Sequence, residues 1–249
     1  MKLALIQMNI LWQKREENLK RADFFIKTAA DEGCDVVVFP EMFDTGFFPP
    51  LSTIDEGLVT DFFLSNAAKK YRINIIAGFA VKKENKARNI ARVYNRSGSI
   101  IAEYTKINLF SFMNEDRFFI AGTEPVIFEI DALPASVFIC YDLRFPEVFR
   151  KIAKDVVLIF VIANWPSSRI EHWKTLLQAR AIENQCFMIG VNRTGKDSDG
   201  VNFSGSSCIY DPWGKPVLIG DEEEFLLADI DLSQVERIRN EFPFMKDMK

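Results

Sequence analysis

Two periods of apolar residues alternate along the chain. Residues 2–10 are apolar enough for a buried strand. In segment 16–30 the apolar positions are Leu19, Ala22, Ile26 and Ala29, the three-and-four spacing of an amphipathic helix. Gly33 follows as its stop. Segment 35–39 is a short β-branched run bounded by Pro40, hence a central strand. A helix over 58–70 and a strand over 73–81 come next. Segments 90–94 and 99–104 around Asn95-Arg96-Ser97-Gly98 then make a hairpin. The same alternation begins again: strand 135–139, helix 146–154, strand 156–162, helix 169–184, strand 186–192. A second hairpin, 206–210 and 215–219, turns at Asp211-Pro212-Trp213-Gly214, and a final strand, 225–230, precedes a charged tail.

The two halves thus read alike, which implies two pseudo-symmetric sheets packed face to face with helices outside. An α/β sandwich without internal duplication fits the pattern nearly as well. No Gly-, Ser- or Pro-rich linker divides the 249 residues, so one domain over 1–249 is expected. An apolar fraction of 48% with 23 phenylalanines supplies a sizeable core. A net charge of −4 argues against a nucleic-acid partner. No run approaches the roughly 20 apolar residues needed to cross a bilayer, and Met1–Met8 reads as a strand, not a signal peptide. The expected location is the cytoplasm. Cys34, Cys140, Cys186 and Cys208 have no paired spacing, which points to free thiols and away from zinc. With His172 the single histidine, a base for a cysteine nucleophile is sought among carboxylates and lysines.

Cys140 is the position where these patterns meet chemistry. It closes the apolar run 135–139 and opens Cys140-Tyr141-Asp142-Leu143-Arg144-Phe145-Pro146-Glu147. A strand that ends in a thiol and turns into a proline-started helix presents a nucleophile at a sheet edge, and helix-terminal N–H groups would favour its thiolate. A small buried cysteine packing as a hydrophobe is the alternative. Glu41 follows the central strand in Phe39-Pro40-Glu41-Met42-Phe43, where open α/β sheets place ligands. Its apolar flanks would raise its proton affinity toward that of a general base. Lys106, in Tyr104-Thr105-Lys106-Ile107-Asn108, is a candidate to offset an oxyanion. Glu115 follows nine residues later and is placed to orient the lysine or a leaving amine. Glu41, Lys106 and Glu115 could each also be an ordinary solvated charge. Arg144 is a candidate to bind a substrate carboxylate or, equally, to brace the elbow through an ion pair. Trp165 either walls a pocket or packs. His172 is expected to cap or pack beside Trp173, with a pairing to Cys140 the lesser reading.

The segments around Glu41, Lys106 and Cys140 resemble, in order and along essentially the whole chain, the three signature blocks of the nitrilase, or carbon–nitrogen hydrolase, superfamily. Pro40-Glu41-Met42-Phe43, Cys140-Tyr141-Asp142-Leu143-Arg144-Phe145-Pro146, Ala163-Asn164-Trp165-Pro166, His172-Trp173 and the segment 179–185 are more narrowly similar to its omega-amidase branch. Asn108 departs from it, since relatives often carry histidine there. The resemblance implies a four-layer α-β-β-α sandwich. It implies that Cys140 attacks an amide carbon, that Glu41 shuttles the proton, and that Lys106 and the Tyr141 N–H hold the oxyanion. Glu115 matches a supporting glutamate, and no metal or organic cofactor is called for. The expected substrate is a small carboxylic acid monoamide such as 2-oxoglutaramate. Same-fold amidases of deaminated glutathione or N-carbamoyl compounds, and a non-catalytic binding protein, are the alternatives. A homodimer is expected. The tail 233–249 is either its contact or docked on its own domain.

Overall fold

The computed structural model describes residues 1–220 and 224–248. The first half runs β1 (Lys2–Ile6), α1 (Arg15–Asp31), β2 (Val36–Val38), α2 (Leu58–Tyr71), β3 (Asn74–Lys83), β4 (Lys86–Tyr94) and β5 (Ile100–Thr105), followed by a single turn of helix, α3 (Glu115–Phe118). The second half runs β6 (Ile127–Ile130), β7 (Leu133–Ile139), α4 (Pro146–Arg150), β8 (Leu158–Ala163), α5 (Ile170–Asn184) and β9 (Phe187–Asn192). A small ribbon, β10 (Thr194–Lys196) and β11 (Asn202–Ser204), precedes β12 (Cys208–Tyr210), β13 (Pro216–Ile219), β14 (Phe225–Asp229) and α6 (Ser233–Glu241).

Among the described residues the long strands form two six-stranded sheets, ordered β14-β1-β2-β3-β4-β5 and β13-β12-β9-β8-β7-β6. Each has three adjacent parallel strands, an antiparallel hairpin on one side and one antiparallel strand on the other. The expected duplication is therefore present. Period-two alternation assigns the layers. Leu3, Leu5, Val36, Val38 and Ile76 join the core shared with the second sheet. Their neighbours Ala4, Ile6, Val37, Ile75 and Ala77 pack instead with Leu19, Ala22 and Ile26 of α1 and Leu64 and Ala68 of α2. On the far side α5 lies so close to β9 that a Cβ on Gly190 would meet Leu177 at 2.3 Å and Trp173 at 2.8 Å. The order is helix, sheet, sheet, helix. No helix among the described residues is long and apolar enough to cross a membrane.

Three expectations change. The helix expected over 146–154 ends at Arg150, because Ile152 and Asp155 donate to the carbonyls three residues back and tighten the chain into turns. Cys140–Arg144 is a separate 3-10 turn. Phe145, extended as a residue before proline tends to be, separates it from α4, which Pro146 begins. The tail is not merely charged. Val235 and Ile238 of α6 are buried, and Arg239 donates to the carbonyls of Ala153, Val156, Asn184 and Gln185. Phe242 packs against Trp213 with tilted rings whose centroids are 4.7 Å apart. The tail thus docks on its own chain at least as far as Phe242, leaving Phe244 exposed.

Candidate active site

Glu41 is placed by a turn that the sheet itself ties down. Phe39 donates to Ile76 O, Phe43 donates to Gly78 O and Gly78 donates to Pro40 O, with Met42 in the left-handed region at φ 46°. A side chain at position 78 would leave no room, since its Cβ would lie 2.8 Å from the Glu41 Cα. Lys106 leaves β5 with its backbone N–H on Asn89 O and its carbonyl accepting from Gly122. Glu115 opens α3, and its Oε2 accepts the Phe110 N–H at 2.6 Å.

The three side chains are fully buried and meet. The Lys106 Nζ donates to Glu115 Oε2 at 2.9 Å, to Glu115 Oε1 at 3.1 Å and to Glu41 Oε1 at 3.2 Å. The Asn89 Nδ2 bridges the two acids, 2.7 Å from Glu41 Oε1 and 3.1 Å from Glu115 Oε1. The other Glu41 oxygen, Oε2, accepts the backbone N–H of Asn164 at 2.9 Å, while the Asn164 Nδ2 donates to the Glu41 carbonyl at 2.6 Å. Burying these charges is tolerable only because nearly every lone pair and proton finds a partner. Burial alone would lower the pKa of Lys106, but Glu115 and Glu41 overcome it and hold the ammonium above its ordinary value.

Cys140 sits at φ 47°, a left-handed conformation that costs a non-glycine residue about 1–3 kcal/mol. The elbow is held in that shape by Asp142. Its Oδ2 accepts from the Tyr104 hydroxyl at 2.7 Å and from the Ile139 N–H at 3.1 Å. Its Oδ1 accepts from the Asn108 N–H at 2.8 Å and the Asn108 Nδ2 at 3.0 Å. One buried carboxylate thus ties the turn of Cys140 to the segment that carries Lys106. Behind it, the Arg180 guanidinium donates to Leu143 O at 2.9 Å. The Cys140 Sγ faces the Asn164 carbonyl at 3.9 Å. Its thiol is pushed well above the ordinary value of 9.0, by burial first and then by the Glu41 charge, with Lys106 pulling the other way. This reverses the expectation that helix-terminal N–H groups favour the thiolate.

Cys140, Lys106, Tyr141, Arg144 and Trp165 line one cavity of about 230 Å³, with Phe47, Phe110, Asn164 and Arg169 among its other walls. Tyr141 packs on Phe110 at 4.8 Å. Trp165 both walls the cavity and packs, its ring lying 5.5 Å from that of Trp173 and its Nε1 donating to Arg169 O at 2.8 Å. The Arg144 guanidinium lies over Trp165 at 4.8 Å, and its Nη2 approaches His172 Nδ1 at 3.3 Å. Arginine only donates, so Nδ1 is the acceptor. Among the described residues Arg144 has no acidic partner within ion-pair distance, and the bracing ion pair is not what holds it. His172 serves Arg144, not Cys140. Glu115 sits behind Lys106 as expected. Asn89, Asn164 and Arg169 were not singled out from the sequence. Asn89 gives no signal beyond occupying a strand, while Asn164 lies in the block Ala163-Asn164-Trp165-Pro166 and stands directly after β8 as Glu41 stands just after β2.

The chain matches the family model described as carbon-nitrogen hydrolase over residues 2–240. A 2-oxoglutaramate amidase of Bacillus subtilis (strain 168) is 40% identical over 255 residues, covering 99% of this chain and 97% of its own. An omega-amidase of Escherichia coli (strain K12), YafV, is 32% identical over 99% of this chain and 96% of its own. Among solved structures, a CN-hydrolase superfamily protein from Xanthomonas campestris superimposes with a TM-score of 0.94 at 29% identity, covering 100% of this chain and 97% of its own. With the two-sheet sandwich already described, these place the protein: it belongs to the carbon–nitrogen hydrolase family of the nitrilase superfamily, an amide-hydrolysing enzyme similar to the omega-amidase branch.

Proposed function

We propose that this protein is an omega-amidase that hydrolyses the terminal amide of a small acid monoamide, 2-oxoglutaramate first among them, to the acid and ammonia. The observation that carries the reading is a thiol on a strained elbow, one residue's backbone away from a buried carboxylate. The Asn164 carbonyl faces Cys140 Sγ at 3.9 Å while the Asn164 N–H donates to Glu41 Oε2 at 2.9 Å. Cys140 Sγ attacks the amide carbon as Glu41 takes its proton. Lys106, fixed by Glu115 and Glu41, and the Tyr141 N–H receive the oxyanion. Glu41 then gives the proton to the departing nitrogen, the C–N bond breaks, and ammonia leaves a thioester. Water attacks that carbon with its proton passing to Glu41, and collapse returns the proton to the sulfur and releases the carboxylic acid.

The cavity favours a small acid over a tripeptide-like amide. Its volume of about 230 Å³ is below the roughly 300–1,000 Å³ of sites for drug-sized ligands. Arg144, with no acid to neutralise it, offers a bidentate face to a carboxylate. Hydrolysis of 2-oxoglutaramate, succinamate, N-carbamoyl amino acids and deaminated glutathione tests the reading, followed as ammonia from the first three and as cysteinylglycine from the last. It stands if the two monoamides are the better substrates and Cys140→Ala abolishes their turnover, and it fails if a carbamoyl compound or the tripeptide is preferred. We place the enzyme in the cytoplasm, where its four free cysteines stay reduced, and as a homodimer.

A further inference from the structure

We infer that Arg169 is a second, specificity-determining contact for the carboxylate end of the substrate, acting with Arg144; this rests on the acid-monoamide reading above. Residues lining the cavity include three cations, Lys106, Arg144 and Arg169, against one carboxylate, Asp197. Lys106 is already bound by Glu41 and Glu115. Asp197 turns its Oδ1 to the N–H groups of Asp199 at 3.0 Å and Val201 at 2.9 Å, closing the turn between β10 and β11. The two arginines are left with charge that nothing in the described protein pairs.

Arg169 is built like Arg144. Its main chain is fixed at the start of α5, with its N–H on Pro166 O at 3.0 Å and its carbonyl accepting from Trp165 Nε1. Its guanidinium lies over the Phe110 ring at 5.9 Å, as that of Arg144 lies over Trp165 at 4.8 Å. An aromatic shelf holds the guanidinium plane and leaves its edge N–H groups free to meet a planar anion. Among the described residues the Arg169 side chain makes no hydrogen bond or ion pair. Two such planes on the wall of a small cavity suit a substrate whose end distant from the amide is a carboxylate, with the 2-oxo oxygen of a 2-oxo acid as a further acceptor. They disfavour a neutral amide, which would leave both uncompensated, and an amide bearing an ammonium.

The test is steady-state kinetics of the wild type, Arg169→Gln and Arg144→Gln on 2-oxoglutaramate, succinamate and neutral butyramide. It is paired with calorimetric binding of 2-oxoglutarate to Cys140→Ala with and without Arg169→Gln. Arg169→Gln is expected to raise KM for both acid amides about 10-fold or more, with kcat nearly kept and butyramide unaffected, the size of a lost charged hydrogen bond. The 2-oxoglutarate affinity should fall to match. An unchanged KM for the acids, or an equal rise for butyramide, overturns the assignment, as does unaltered 2-oxoglutarate binding. If the wild type prefers butyramide, the omega-amidase reading itself fails. Binding of 2-oxoglutarate that still depends on Arg169 would leave the acid-binding role standing without it.

Discussion

Burial and the Glu41 carboxylate both hold the proton on the Cys140 thiol, against the pull of Lys106, and the consequences separate reactivity from catalysis. In the wild type, alkylation of Cys140 by iodoacetamide is expected to be slower at neutral pH than that of an unperturbed thiol, with its profile displaced to higher pH. The other thiols are also held up by burial, Cys34 to about 11 and Cys186 and Cys208 to about 12, and being buried they should not compete. Glu41→Gln removes a negative charge, so the thiol pKa falls and the labelling profile moves to lower pH. The same change should cost on the order of 10²-fold in kcat. A profile that moves upward would show that Glu41 does not raise the thiol, and a kcat close to normal that it is not the base. Lys106→Ala should cost a similar factor in kcat through the lost oxyanion contact. Glu41, Lys106 and Cys140 were legible in the sequence as candidates, because each is a chemically distinct residue following a strand or hairpin and their three segments together resemble the signature blocks of the family. Asn89 and Asn164 were not. Their meaning lies in which carboxylate oxygen they reach across the two sheets, and no spacing along the chain encodes that.

Elements position these groups through close approaches that single substitutions can test. Gly78 of β3 lies under the turn carrying Glu41, and a Cβ there would stand 2.5 Å from the Ile162 Cδ1, 2.8 Å from the Glu41 Cα and 3.1 Å from Pro40 O. Backbone cannot give way as a side-chain tip can. Gly78→Ala is therefore expected to push the base off its line, lowering kcat at least about 10-fold, since small misplacements at a reacting centre are costly. A kcat within twofold of wild type would show the turn to be more pliable than its three hydrogen bonds to β3 imply. Asp142 carries the other constraint, and burial raises its pKa despite the Asn108 N–H and the Tyr104 hydroxyl. Tyr104→Phe takes away one donor to a buried carboxylate, and about 1–3 kcal/mol of stability should go with it, read from the urea midpoint. The strand and helix order was readable from periodicity. The β6–β7 hairpin was not, because its turn uses Asp131 and Ala132 at φ 48° and 64° in place of the Asn-Gly or Gly pair that announces such turns. Asp131 there accepts from Asn74 and Arg96, long-range partners that favour an otherwise unpromising turn.

At the scale of the whole molecule the duplication explains where the site lies. Glu41 and Asn164 follow the middle parallel strands of the two halves, β2 and β8, and the hydrogen bonds between them join equivalent strand ends across the pseudo-symmetric pair. The repeat was visible in the chain because buried parallel strands read as apolar runs in both halves. The crossing of β14 to pair with β1 was not, since its partner is more than two hundred residues away. The same limit held for the tail: α6 shows its apolar pair, Val235 and Ile238, but only the fold shows what they cover. The docked tail leaves several large apolar side chains exposed near one another. Ile182 is 51% exposed, Trp213 43% and Phe244 55%. Ile182 touches the turn at Gly214, and Phe242 links the rings of Trp213 and Phe244 at 4.7 and 5.9 Å. Large aromatic and aliphatic side chains gathered this way are the composition of an interface centre, and a second copy of the chain is its expected occupant. Sedimentation equilibrium should therefore give twice the 28.6 kDa of the chain. Phe244→Asp, at a residue that no buried contact needs, should shift the protein toward monomer without unfolding it. A mass of 28.6 kDa at every concentration would remove the dimer. A dimer untouched by Phe244→Asp and by Trp213→Glu would move the interface to another face.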